Sequence, residues 1–125
     1  MKGIIKMNNN IFWIVVLAVK DGQLENLKKL MGEMVDSTNI NEPDTINYEW
    51  FLSDDEKTCH IYERYKDSAA VMKHLTAFGE NFAERFMGNV DLVKFTLYGN
   101  PETDAKEALA GFTPVYMSPS LGFAR

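Results

Sequence analysis

The sequence is poor in cysteine and in long apolar runs, and its basic residues are outnumbered by acidic ones. Its one cysteine, Cys59, has no partner in the chain for a disulfide, which is typical of a reducing compartment, so we expect a cytoplasmic protein. The longest apolar run, Ile11 to Val19, has nine residues, whereas a membrane-spanning helix needs about 20. With 13 basic and 18 acidic residues the net charge is -5. That charge disfavours binding to nucleic acid and to anionic membranes.

The sequence also lacks the motifs of common cofactors and catalytic metals. It has no G-x-G-x-x-G stretch for a dinucleotide, no phosphate-binding P-loop and no H-E-x-x-H zinc motif. The side chains Cys59, His60 and His74 do not follow the spacing of a zinc site. We therefore predict that the chain uses no cofactor and binds no metal.

What the sequence contains is the pattern of one α+β domain. Its 125 residues are 46% hydrophobic and 25% charged, as in an ordinary globular domain. The apolar periodicity predicts a strand over 11–19, a helix from 22 to about 38, strands over 46–52 and 58–65, a helix after 67 and a strand over 91–98. This β-α-β-β-α-β order is the ferredoxin-like pattern, a four-stranded antiparallel sheet with helices on one face. Residues 1–100 are predicted to form this domain. Residues 101–125 are predicted to be a C-terminal extension, a short helix and an extended tail, packed on the domain or on a partner subunit.

The periodicity also predicts which side chains face the core. In the first helix the predicted inward residues are Leu24, Leu27, Met31 and Met34. In the last strand the predicted inward residues are Val93, Phe95 and Leu97. The first helix is expected to end near residues 37–39, and the asparagine-rich residues 1–10 are expected to be a frayed lead-in.

The first strand, Ile11 to Val19, is apolar at every position, so both of its faces should be buried. One layer of helices covers only one face of a sheet, and something else must cover the other. A second copy of the sheet in a symmetric homodimer is one candidate. The apolar tail after Pro101 is the rival candidate.

The third strand places two ionisable side chains, Glu63 and Tyr65, on one face. Strand alternation puts Cys59, Ile61, Glu63 and Tyr65 on one side, with His60, Tyr62 and Arg64 on the other. A glutamate among apolar neighbours is expensive to bury unless it is paired. Because the strand leads directly into the next helix, His74 on the inward stripe of that helix is the expected partner of Glu63.

This region resembles the signature of the antibiotic biosynthesis monooxygenase (ABM) family. Members tend to show an apolar residue, an aromatic residue, a glutamate, any residue and then Tyr or Trp at the end of this strand, followed by a helix with a histidine. The matching residues here are Ile61-Tyr62-Glu63-Arg64-Tyr65, then Asp67, Ala69, Ala70 and His74, with Tyr48-Glu49-Trp50 on the preceding strand. The resemblance covers roughly residues 11–98. It implies a dimeric α+β barrel.

The activity implied by the resemblance is varied. Some members oxidise phenolic, quinol or polyketide substrates with O2 and no cofactor, some degrade haem, and many have no assigned activity. Haem-degrading members carry a tryptophan where this chain has Tyr65, which favours the cofactor-free reaction on a small aromatic substrate. The alternative is a non-catalytic, dimeric ligand-binding or stress-related protein of the same fold.

The candidate site residues each have a catalytic and a structural interpretation. The predicted catalytic residues are His74 as a base, Glu63 as its partner and Tyr65 as a hydrogen-bond donor. The predicted ligand-binding residues are Tyr48, Trp50 and Phe78, as aromatic walls. A buried ion pair and ordinary sheet packing are the structural interpretations of the same residues, and the sequence leaves both open.

Overall fold

A computed structural model describes residues 8–125, so the frayed lead-in expected over residues 1–10 lies mostly outside the described residues. The elements are β1 (Ile11–Val19), α1 (Leu24–Asn41), β2 (Thr45–Leu52), β3 (Thr58–Tyr65), α2 (Ser68–Asn81), α3 (Ala83–Asn89), β4 (Val90–Tyr98), α4 (Thr103–Leu109) and β5 (Val115–Met117).

The predicted ferredoxin-like fold is confirmed, with one strand more than expected. The strand order is β2-β3-β1-β4-β5, and β1 pairs antiparallel with both β3 and β4. The prediction of a four-stranded sheet was wrong, because β5 from the C-terminal extension pairs parallel with the end of β4, with Val115 opposite Thr96. A strand of three exposed residues is too short to show alternation, so its sequence carries no strand signal.

The core lies between one face of the sheet and the helices. In β1 the inward residues Ile11, Trp13, Val15 and Leu17 are buried, and the intervening residues are only partly buried. Within a single chain, therefore, one face of this strand is fully buried as expected, and the other face is only partly buried. The C-terminal tail borders only one end of the other face, near Phe12, Arg64 and Tyr98.

Strand β4 differs from its predicted pattern at Val93, which was expected to face the core and is 63% exposed. The register between β1 and β4 shifts between Val16 and Leu17, which pair with Lys94 and Leu92 and leave Val93 without an opposite residue. Such a bulge reverses the facing of the residues beyond it. Val90 and Leu92 therefore face the core before the bulge, and Phe95 and Leu97 face it after the bulge, as predicted.

Helix α1 is longer than predicted and its buried stripe is shifted. Its buried residues are Leu27, Leu30, Met34 and Thr38, whereas Leu24 and Met31, which were also predicted to face the core, are only partly buried. The helix continues to Asn41 and ends at Glu42, whose main-chain N–H donates to the carbonyl of Thr38 at 3.0 Å. This longer helix brings a carboxylate to the edge of the core.

No helix within residues 8–125 is long and apolar enough to span a lipid bilayer. The expected cytoplasmic location and the division of the chain at residue 100 stay predictions.

Candidate active site

The six predicted site residues all project from the core face of the sheet or from the helix packed on it. Strand β3 supplies Glu63 and Tyr65, β2 supplies Tyr48 and Trp50, and α2 supplies His74 and Phe78. Three of them, Glu63, Tyr65 and His74, are buried, and the other three are packed against the same core.

A chain of polar contacts runs through this layer and is centred on His74. Its Nδ1 lies 2.8 Å from Oε1 of Glu42, and its Nε2 lies 3.3 Å from Oε1 of Glu63. The hydroxyl of Tyr65 donates to the same Glu63 oxygen at 2.5 Å. The expected pairing of Glu63 with His74 is therefore present, and Tyr65 contacts Glu63 through its hydroxyl.

The start of α2 explains why His74 reaches this position. Asp67 caps the helix, and its side chain accepts a hydrogen bond from the main-chain N–H of Ala70 at 3.0 Å. Two positions of the helix that face the sheet, Val71 and His74, are three residues apart and buried. The imidazole consequently lies over the end of β3, between the rings of Tyr48 and Tyr65, whose centroids are both 5.3 Å away.

Glu42 was missed by the sequence reasoning, although it is buried and contacts His74 directly. It lies in a short connection before Pro43, where a charged residue is ordinarily assigned to the surface. One signal was available. Met34, Thr38 and Glu42 are spaced by four residues and continue the buried stripe of α1, which becomes visible only once that helix is known to reach residue 41.

The electrostatics of the site favour retention of protons. Burial lowers the pKa of His74, but the hydrogen bond to Glu42 and the negative charges of Glu63 and Glu42 outweigh burial and raise the pKa above its ordinary 6.5. Burial also raises the pKa of Glu63 above its ordinary 4.5, opposed by the charge of His74 and by the Tyr65 hydrogen bond. The arrangement is a buried acid–base group that can accept, hold and return a proton.

Next to this group lies a small apolar cavity of about 50 Å³. Its titratable wall residues are Glu63, His74 and Tyr48, and the rest of the wall is aliphatic and aromatic, including Trp13, Phe78, Phe86, Phe95 and Phe112. This volume holds a few water molecules, because about 10–15 Å³ of such space is enough for one. An aromatic ligand therefore enters only if side chains at the mouth move, and Met87, which is 45% exposed, is the most exposed of the large apolar lining residues.

The other predicted aromatic wall, Trp50, lies one layer behind the cavity. Trp50 does not line the cavity. Its ring packs edge-on against Tyr48 and Phe86, and these two residues do line it. Its indole Nε1 is the one buried side-chain nitrogen or oxygen without a hydrogen-bond partner in the part of the chain that the structure describes. Trp50 thus supports the wall of the cavity without forming it.

The remaining polar candidates lie apart from the cavity. Cys59 is buried, and burial raises the pKa of its thiol to about 11, which keeps it protonated. His60 is exposed on the other sheet face, and the guanidinium of Arg64 on that face lies 4.7 Å from the centre of the Phe12 ring. Over residues 8–125 no three His, Cys, Asp or Glu side chains are grouped to hold a metal ion. The expectation that no cofactor is used stays a prediction.

A family model described as antibiotic biosynthesis monooxygenase matches residues 11–85, which is more than half of the 125 residues. The matched segment contains β1, the β2–β3 hairpin, and the acid–base group of Glu42, Glu63 and His74. No curated protein is significantly similar to the chain.

Solved structures share the fold at low sequence identity. MupZ from Pseudomonas fluorescens is 20% identical with a TM-score of 0.86, and the match covers 100% of this chain and 96% of MupZ. PA3566 from Pseudomonas aeruginosa is 17% identical with a TM-score of 0.64, covering 78% of this chain and 99% of that protein. SnoaB, a cofactor-independent oxygenase from Streptomyces nogalater, is 11% identical with a TM-score of 0.63, covering 76% of this chain and 96% of SnoaB. Of these three, only the match to MupZ covers the whole chain, and it therefore includes the C-terminal extension.

Proposed function

The chain belongs to the antibiotic biosynthesis monooxygenase family, and on that premise we propose that it is a cofactor-independent monooxygenase that oxidises a quinol-like or other small aromatic molecule with O2. The observation that carries this proposal is the buried Glu63–His74 pair in the wall of an aromatic cavity. The description of SnoaB, which shares the fold, as a cofactor-independent oxygenase supports it.

The first step of the proposed reaction is removal of a proton from the bound substrate. Glu63 and His74 act as the base, and the apolar wall keeps water away from the resulting anion. The electron-rich anion reduces O2, and a bond forms between its carbon and one oxygen atom. Protonation of the distal oxygen gives a hydroperoxide.

In the second step the Glu63–His74 group both accepts and donates a proton. The base removes the remaining hydrogen from the oxidised carbon while the O–O bond breaks. The departing oxygen takes a proton from the acid–base group and leaves as water. One atom of O2 ends in the new carbonyl group and the other in water, so the substrate is the only reductant and no external one is required.

We propose different roles for the predicted residues. Glu63 and His74 border the cavity and are placed to exchange protons with a ligand. Tyr65 does not border it, and its hydroxyl donates to Glu63, so we propose that it positions that carboxylate. Tyr48 and Phe78 are proposed as ligand-contacting walls, with Trp50 supporting Tyr48 from behind.

A second candidate is a non-catalytic small-ligand-binding protein. The observation that favours it is the narrow cavity of about 50 Å³, beside a Glu63–His74 contact that is already satisfied within the chain. On this alternative the acid–base group is an internal ion pair that specifies the fold.

Oxygen uptake over a panel of quinols and hydroxyanthrones separates the two candidates. We expect the wild-type protein, freed of metal by chelation, to consume O2 with at least one panel member. Glu63→Gln should lose most of that rate, and His60→Ala, which alters the exposed histidine on the other face, should keep it. Absence of uptake by the wild type across the panel, or equal uptake by Glu63→Gln, would favour the ligand-binding alternative.

We also propose that the protein is a homodimer, formed through the sheet face that the helices leave uncovered. That face carries Phe12, Ile14 and Val16, which are partly buried, and Phe51, which is 53% exposed. Apolar side chains in such a row are typical of an interface between subunits. Sedimentation analysis of the wild type should give twice the 14.3 kDa mass of the chain, and Val16→Glu should give a monomer. A monomeric wild type would refute the dimer.

A further inference from the structure

Glu42 is held more firmly than an ordinary loop carboxylate. Its N–H donates to the Thr38 carbonyl at 3.0 Å, and its own carbonyl accepts from the N–H of Thr45 at 3.1 Å. Its Oε1 accepts from the Thr45 hydroxyl at 3.2 Å and lies 2.8 Å from Nδ1 of His74. The 2.8 Å separation is typical of a hydrogen bond to a charged group.

We propose that Glu42 is a positioning residue, which fixes the proton of His74 on Nδ1 and thereby leaves Nε2 to exchange a proton with Glu63 at the cavity. This inference rests on the proposed function, because it assigns a role within the same acid–base group. A carboxylate can only accept hydrogen bonds, so the nitrogen that faces Glu42 must carry a hydrogen. Nε2 faces the carboxylate of Glu63 in the same way, so the two contacts compete for the one hydrogen of a neutral ring. The shorter contact, to Glu42, keeps the hydrogen on Nδ1, and the proton that Nε2 gives up then lies on Glu63.

The geometry on the other side of the ring agrees with this assignment. Nε2 lies 3.3 Å from Oε1 of Glu63, a longer contact than that of Nδ1 with Glu42. Glu63 and His74 border the cavity, whereas Glu42 does not. Glu42 therefore lies behind the ring as seen from the cavity, where an acid orients a histidine base without contacting the substrate.

Four titratable groups face His74, and only two of them can carry a negative charge near physiological pH. They are Glu42 after α1, Glu63 and Tyr65 from β3, and Tyr48 from β2. Burial raises the pKa of both tyrosines well above 10, so they stay neutral near physiological pH. The two carboxylates are thus the negative charges that act on the ring.

Nitrogen-15 NMR of the histidine rings tests the proposal without any substrate. The chain has two histidines, and His60→Ala assigns the signals. At a pH where the His74 ring is neutral, we expect the Nδ1–H form in the wild type. Glu42→Gln, whose amide can either accept or donate, should restore a share of the Nε2–H form and lower the pH at which His74 titrates. Thr45→Val is the matched control, since it removes the other hydrogen bond to the same Glu42 oxygen and should leave the ring unchanged.

Two outcomes would overturn the proposal. One is the Nε2–H form of the His74 ring in the wild type, a measurement that does not depend on whether any variant folds. The other is a Glu42→Gln protein whose His74 keeps the same protonated nitrogen and the same titration. If a substrate is found, Glu42→Gln should lower kcat by about 10- to 100-fold with little change in KM. If no substrate is found, the proposed function fails while the NMR result still decides the role of Glu42.

Discussion

Replacement of His74 by alanine should be among the most destabilising single changes in this protein. The imidazole is the shared partner of two buried carboxylates, whose side chains are only 5% exposed for Glu42 and 8% exposed for Glu63. His74→Ala removes the positive charge and the two N–H donors at once. Both carboxylates would then remain in the core without a charged partner.

The expected cost follows from the desolvation of these groups. Removal of one partner from a buried ion pair costs about 3–5 kcal/mol, and two carboxylates are affected here, so we expect a loss near the upper end. The free energy of unfolding of a typical domain is only about 5–15 kcal/mol. The loss should therefore lower Tm by about 15 °C.

Urea unfolding near neutral pH, followed by circular dichroism, measures this loss. The control is His60→Ala, on the exposed face, which should change the free energy of unfolding by less than about 0.5 kcal/mol. The double variant His74→Ala/Glu42→Gln removes one stranded charge. It should be more stable than the sum of the two single losses by about 1–3 kcal/mol, because residues in one polar network couple.

A loss of less than about 1 kcal/mol for His74→Ala, the value of an exposed pair, would refute this reasoning. So would strict additivity in the double variant, which would mean that Glu42 and His74 do not interact energetically.

Three other changes test the described contacts. Because the folded pKa of His74 lies above its ordinary 6.5, its contribution to stability is complete below 6.5 and is lost as the pH rises through the raised pKa; thermal melts across that range should show the fall, and His74→Ala should lack this component. Tyr65→Phe removes the hydroxyl that donates to Glu63 and should lower the free energy of unfolding, measured in urea, by about 1.5–3 kcal/mol. An unchanged free energy of unfolding would contradict the contact. Gly99→Ala should cost about 1–3 kcal/mol, because φ is +122° and a Cβ would lie 2.8 Å from a main-chain oxygen. Its control, Gly79→Ala in the open surface of α2, should instead gain about 0.5–1 kcal/mol, and equal effects of the two would refute the strain.

The parts of the fold that the sequence predicted are those governed by local periodicity. Alternation along β3 placed Glu63 and Tyr65 on the buried face, and helical spacing placed His74 over them, so their contact followed from the direct connection between strand and helix. The positions of the first four strands along the chain were predicted in the same way, because each has a clear apolar pattern.

The parts that were missed depend on contacts between distant segments. Val93 was misplaced because a bulge arises from the pairing of β4 with β1, which periodicity in one strand does not reveal. β5 is a strand only through its hydrogen bonds to β4. Glu42 contacts His74, 32 residues away along the chain, because α1 extends beyond its expected end.

The proposed function depends on one step, the removal of a proton from an aromatic molecule in the cavity by Glu63 and His74. An anaerobic absorption titration with a hydroxyanthrone measures this step alone, because the anion absorbs at longer wavelength than the neutral compound and cannot react without O2. We expect wild-type protein to bind the compound as its anion at a pH where the free compound is neutral. The anion should be absent with Glu63→Gln and present with His60→Ala. Binding of only the neutral compound by the wild type, or the same anion signal with Glu63→Gln, would contradict the account.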